Sequence, residues 1–208
     1  MKNEHGYLPR IVITGPPGSG KSTLVGILRE TFHDVIQHVP EAATPVIINF
    51  GIIPGSLGER FVFEAAFQKL VYRTQMLHED IAESIARHLG KTVLLCDRSR
   101  VDVAAYLAGG VEEYARLFSV SHMDEYPYYD LVLCLGLPPR HVYDAIRTSN
   151  PARIEQYNHA LFLEERMRFV WNGHPNFVFI PHIAGWEEKM RRAQTIIQDF
   201  VKKIPGQV

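Results

Sequence analysis

The chain has 208 residues, 46% hydrophobic and 22% charged, with a formal net charge of −1 at pH 7 and an isoelectric point near 6.8. That length suits one domain over residues 1–208 with a real core, and the neutral balance leaves no overall basic footprint for nucleic acid. No run of about 20 apolar residues offers a membrane span, the opening MKNEHGYLPR lacks a signal-peptide core, and Cys96 and Cys134 lie in apolar runs without C-x-x-C, so a cytoplasmic protein with two buried, reduced thiols is expected.

The first predicted strand, 11–14, runs directly into GPPGSGKST. Gly15, Pro16, Pro17, Gly18, Ser19 and Gly20 are turn-forming or tiny, and Gly15, Gly20, Lys21 and Ser22 fit G-x-x-x-x-G-K-[ST]. Glycines let the backbone fold back and aim several N–H groups at one point with no Cβ in the way. A helix beginning near Lys21 adds the positive end of its dipole there. Lys21 can then reach β- and γ-phosphate oxygens while the Ser22 hydroxyl meets Mg²⁺. A plain glycine-rich turn would match this pattern in roughly one chain of this length per hundred. Here the context also fits, because Leu24, Val25 and Leu28 give the following helix an apolar face. A nucleoside-triphosphate site is therefore expected on residues 15–23, Thr23 included.

The second predicted strand, 35–39, closes on Pro40 and Glu41, and a long apolar segment, 44–58, follows. That segment is either a short helix packed into the core or a surface for an acceptor, a partner or lipid. A helix is predicted over 59–89, with Phe63, Phe67, Leu70, Leu77, Ile81 and Ile85 on one face and Gly90 as its stop. Glu64, Gln68, Tyr72 and Gln75 form a polar stripe beside that face; either Gln68 reads a base or amide, or the stripe is solvated. The third strand, 92–96, leads to Asp97 and Arg98, and Ser99 with Asp102 makes an S-x-x-D capping box. The fourth strand, 131–135, ends at Gly136, and after it come Arg140, Arg147, the break at Asn150-Pro151, and Arg153. A fifth strand, 177–180, and a helix, 186–203, complete the pattern. Short strands alternating with helices predict an α/β fold with a parallel sheet covered on both faces.

In open sheets of this kind ligands sit beyond the carboxyl ends of the strands. Asp97 is thereby a candidate Mg²⁺ ligand, directly or through water, or else a helix-start charge. Glu41 is a candidate base for an acceptor hydroxyl, or else a helix-start glutamate. Arg147 and Arg153, on a segment over the phosphates, are candidates for stabilising transferred charge; Arg140 reads as a solvated helix residue.

GPPGSGKST, VPEAAT, LLCDRSRVDVAAY, YDLVLCLGLPP and RIEQYN occur in an order that resembles nucleoside- and nucleotide-kinase-like P-loop proteins. The nearest resemblance is to the AAA-type ATPase family that groups the nicotinamide-riboside kinase domain of NadR with translocation-defect-type proteins; deoxynucleoside and thymidylate kinases resemble it more distantly. The resemblance implies a three-layer P-loop NTPase fold with strand order 2-3-1-4-5 and a lid at about 140–158 carrying Arg147 and Arg153. It also implies that Asp97 and Arg98 match the acidic-Arg pair ending the third strand, with Arg98 on the substrate, and that Glu41 faces the acceptor hydroxyl. The long helix would wall the acceptor pocket. No N-K-x-D segment for guanine is present, so ATP is favoured and GTP stays possible.

Two readings follow. One is a kinase using ATP, Mg²⁺ and a small nucleoside-like or ribose-bearing acceptor. The other is a nucleotide-regulated binding protein of the same fold without such an acceptor. A homodimer is compatible with either.

Overall fold

In the computed structural model, which describes residues 8–50, 64–148 (backbone only for 146–148), 156–182 and 185–204, five strands form one sheet. They are β1 (Arg10–Thr14), β2 (Ile36–Val39), β3 (Val93–Asp97), β4 (Leu131–Leu135) and β5 (Phe177–Ile180). Their order is β2-β3-β1-β4-β5 and every pairing is parallel, with Val12 opposite Cys96 on one side and Val132 on the other. The implied order is thus the observed one, and strand ends differ from expectation by a residue at most. β1 and β4 carry near-continuous apolar runs because both of their faces are covered.

Alternation along each strand feeds two cores. Ile11, Ile13, Leu95 and Leu133 meet α1 (Lys21–Thr31) and α8 (Trp186–Val201) through Leu24, Leu28, Ala193 and Ile197. Val12, Leu94, Cys96 and Val132 face the other way. There they pack with α3 (Ala65–Leu89), α4 (Val103–Tyr106), α5 (Gly110–Phe118) and α7 (Tyr157–Trp171). A short α2 (Ala43–Asn49), a 3₁₀ turn over His122–Tyr128 and α6 (Arg140–Thr148) complete the described elements. Both cysteines are buried and unbridged.

The long helix reverses the expected orientation. Phe67 is buried, but Leu70, Leu77, Ile81 and Ile85 are exposed, while Gln68, Tyr72, Gln75, Glu79, Ala82 and Ala86 are buried. The solvated reading of the polar stripe is overturned with it; Phe63 lies outside the described residues. The cause is a set of polar partners waiting on the sheet. Arg10 donates to Glu79 and to Glu83, each at 2.8 Å. The Tyr129 hydroxyl also donates to Glu79 at 2.8 Å, and the Tyr72 hydroxyl to Glu125 at 2.7 Å. Ala82 and Ala86, having almost no side chain, let the helix approach the sheet closely. Directional bonds in a low-dielectric layer outweigh the aliphatic stripe on the opposite side.

Candidate functional site

The glycine loop between β1 and α1 is shaped by its neighbours. Gly15 has φ 135°, and a Cβ there would stand 2.5 Å from the Leu135 carbonyl oxygen. Gly20 caps α1 in the left-handed region at φ 99°, and a Cβ on it would run into the Trp186 ring. From α8, Lys189 donates to the carbonyls of Ser19 and Gly136, each at 2.7 Å, and burial lowers its pKa to about 8. Sequence reasoning missed this clamp, since it places Lys189 only within the helix over 186–203 and the Ser19 carbonyl lies 170 positions away; only the fold shows that Lys189 is 2% exposed.

Lys21 opens α1 with its ammonium folded back on the Pro16 carbonyl at 2.9 Å. Burial, and next the Arg98 guanidinium, lower its pKa to about 7, against the opposing pull of Asp97 and Glu41. A desolvated cation so placed recovers its charge when anionic oxygens arrive. Ser22 and Thr23 follow it, exposed, on the first turn.

A cavity of about 310 Å³ opens beside the loop. Lys21 and Ser22 line it together with Glu41, Gln68, Asp97 and Arg98, so the strand-end rule and the helix stripe converge on one place. Burial raises the Asp97 pKa, with Lys21 and then Arg98 opposing. Arg98 takes φ 69°, an uncommon conformation for a branched-off long side chain and one found at functional sites. Its backbone N–H bonds the Ile13 carbonyl at 3.0 Å and its carbonyl accepts from Gln75 at 3.3 Å, which hold the turn. The guanidinium lies 3.5 Å from Glu41 and 5.4 Å over Tyr106, and its Nη1 is buried without a hydrogen bond.

Glu41 does two things at once. One carboxylate oxygen accepts from the Thr44 backbone N–H at 3.1 Å and from the Thr44 hydroxyl, starting α2. The other faces Arg98. The helix-start reading and a position on the cavity are therefore both realised. Of the apolar segment after it, Val46 is buried, Ile47 lines the cavity and Ile48 and Phe50 are exposed; residues 51–58 lie outside the described ones.

Asp102 is more than a cap. The reciprocal Ser99–Asp102 bonds exist, at 3.1 and 3.3 Å, one turn ahead of α4. Its other oxygen, however, accepts from Thr14 at 2.9 Å and from the Trp171 indole at 2.7 Å, tying the end of β1 to α7. The apolar environment of the signal hid this, because Trp171 arrives from far along the chain. Arg140 pairs with Asp144 at 3.6 Å on an exposed helix face, as expected of a solvated residue. Arg147 falls in α6, and Arg153 lies outside the described residues.

A strand turning through a glycine loop into a Lys-Ser helix start, on a five-stranded parallel sheet of this order with helices on both faces, defines a P-loop nucleotide-binding NTPase. A family model described as AAA domain matches residues 10–189, and the chain belongs to that family. No curated protein matches it. P-loop domains bind nucleotide with Mg²⁺, and the donors here suit that hard cation: the Ser22 hydroxyl and the Asp97 carboxylate line the same cavity. Among the described residues no helix is long and apolar enough to cross a membrane.

Proposed function

We propose that the protein is a Mg-ATP-dependent phosphotransferase, a single nucleoside/nucleotide-kinase-like domain that moves the γ-phosphate to a hydroxyl of a small nucleoside-like or ribose-bearing acceptor. The observation that carries this reading is the shared cavity, in which phosphate-loop Lys21 and Ser22 meet Glu41, Arg98 and Gln68. A base or an amide beside the phosphates also serves hydrolysis, so what favours an acceptor is the room beyond the phosphate loop, a cavity of about 310 Å³ that Phe67, Gln68 and Val71 of α3 also line.

In this reading the loop N–H groups and Lys21 hold the β- and γ-phosphates. Ser22 and Asp97 hold Mg²⁺, which would neutralise charge on those phosphates. The Glu41 oxygen not engaged by Thr44 takes the proton of the acceptor hydroxyl. The acceptor oxygen then bonds to the γ-phosphorus as the bond to the β–γ bridging oxygen breaks, releasing ADP. Arg98 aligns Glu41 and balances its charge, and Gln68 and Phe67 orient the acceptor. Arg147 and Arg153 are assigned to the lid, stabilising charge on the transferred group. ATP is preferred to GTP because the chain lacks an N-K-x-D segment.

The nucleotide-regulated binding protein is the second reading, supported by exposed Ile48 on α2 and exposed Phe50 at its C-terminal cap, on the segment that follows Glu41. Three variants test the choice. Lys21→Ala removes nucleotide-induced thermal stabilisation. Asp97→Asn weakens Mg²⁺-dependent nucleotide binding and turnover together. Glu41→Gln keeps nucleotide affinity, read by calorimetry, and lowers phosphate transfer by about 10²–10⁴-fold. Transfer by Glu41→Gln at the parent rate removes Glu41 from the mechanism. Tight nucleotide binding with no acceptor phosphorylated, across nucleosides, nucleoside monophosphates, ribosides and sugars, replaces the kinase reading by the regulated-binding one.

A further inference from the structure

We infer that the outward face of α3 is a homodimer interface, in which two copies of the helix pack antiparallel across a two-fold axis at Leu77. The inference stands apart from the proposed chemistry and rests on the side of the helix that the cavity does not use.

Leu70, Leu77, Ile81 and Ile85 are 36%, 60%, 57% and 41% exposed, and no described element covers them. With Thr74 they follow 4-3-4-4 spacing, a continuous seam along one helix face. Scattered single apolar residues on a surface need no explanation, but a contiguous aliphatic stripe on a long helix marks a contact. At about 1.5 Å per residue, α3 is some 37 Å long, and its face with the flanking side chains can supply most of the about 800 Å² that each partner gives a standard interface.

The charges choose the occupant. Arg73 and Asp80 are exposed, lie seven residues apart on one flank of the stripe, and have no ion pair among the described residues. In an antiparallel two-fold pair each flank meets its own copy. With Leu77 on the axis, Arg73 comes within about one residue's rise (about 1.5 Å) of lying opposite the second copy's Asp80, on both sides of it, well inside the reach of an arginine side chain. The same register brings Ile81 beside Thr74 and Ile85 beside Leu70, each again within about one residue's rise, apolar beside apolar or small. Centring the pair on Asp80 instead would oppose like charges. The surface is thus complementary to itself, which neither a lipid nor an arbitrary helix requires.

One consequence is that a single helix serves two purposes: its inner face supplies Gln68 and Gln75 to the cavity while its outer face joins the subunits.

The test is the mass of the full chain in solution by sedimentation and native mass spectrometry. The parent is expected to be a dimer at micromolar concentration. Leu77→Glu is expected to give a monomer that still unfolds cooperatively and binds nucleotide as the parent does, since the side chain is already exposed in a single chain, and whose unfolding midpoint no longer rises with protein concentration as the dimeric parent's does. Arg73→Asp and Asp80→Arg each weaken the dimer by tenfold or more, and the double exchange restores it. Leu77→Cys, placed on the axis, forms an intersubunit disulfide under mild oxidation. A parent that stays monomeric at high micromolar concentration overturns the inference. So does a dimer that survives Leu77→Glu, or a charge exchange that fails to restore association. Failure here leaves the Glu41 and Lys21 tests untouched, because those are read on transfer and nucleotide binding.

Discussion

The two faces of the sheet are held by different forces. Toward α1 and α8 the contact is almost wholly aliphatic, Ile11, Ile13, Leu95 and Leu133 against Leu24, Leu28, Ala193 and Ile197. Toward α3 and α7 the layer between sheet and helices holds half-buried Arg10 from β1 with Glu79, Arg100, Glu125 and Asp102, all buried, joined by hydrogen bonds or ion pairs. Aliphatic contact supplies stability without direction and tolerates repacking; hydrogen-bonded charges fix where a helix sits and how it is rotated. The cavity opens between β3 and α3, on the directional side. The lesson is one of division: the apolar layer stabilises the sheet, and the polar layer aims Gln68, Gln75 and Arg98.

The difference can be broken from either side. The largest effect is expected from Glu79→Ala, which leaves the buried Tyr129 hydroxyl without its acceptor and the Arg10 guanidinium with Glu83 alone, with a loss of about 1–3 kcal/mol in urea unfolding. A loss under about 1 kcal/mol, the range of exposed pairs, would show that the ionic layer is ornament. Next is Ile197→Val on α8, a buried methylene removed from the aliphatic side, expected to lower stability by about 0.5–1.5 kcal/mol. Its effect should be the same at low and high salt, whereas a salt-dependent change would mean that the aliphatic side also depends on charge. The smallest effect at neutral pH concerns His38, on the α1 side of β2, whose pKa is lowered to about 4 by burial and then by Arg29. Below about 6.5 the unfolded chain takes up a proton that the folded chain refuses until about 4. Stability therefore falls as pH drops through that window. His38→Gln should flatten the slope there in a pH series of thermal melts, and an unchanged slope would assign it to other groups.

Much of this was legible in the residues. The glycine loop, the five strands and the acidic ends of the second and third strands follow from local pattern, since each is set by neighbours a few residues away. Glu41, Gln68, Asp97 and Arg98 meet at one cavity because strand-end geometry is general to parallel sheets. The rotation of α3 was not legible. Its sequence has two stripes of similar periodicity, and hydrophobicity alone selects the one with Leu70 and Leu77. The choice is made by Arg10, Tyr129 and Glu125, residues from other elements whose proximity no local pattern reports. Asp102 and Lys189 escaped for the same reason: their partners Trp171 and Ser19 lie 69 and 170 positions away.

That last separation has a meaning for synthesis. The glycine loop is made before the elements that complete it, and β1 has to wait for both β3 and β4 before it has neighbours on each side. Even then the loop lacks Lys189 on the Ser19 carbonyl and Trp186 against Gly20 until α8 has emerged. A nascent chain stalled before α8 thus carries the full phosphate-binding motif without the finished cradle. A ligand that binds the finished cradle favours chains that have closed the last helix over the first loop.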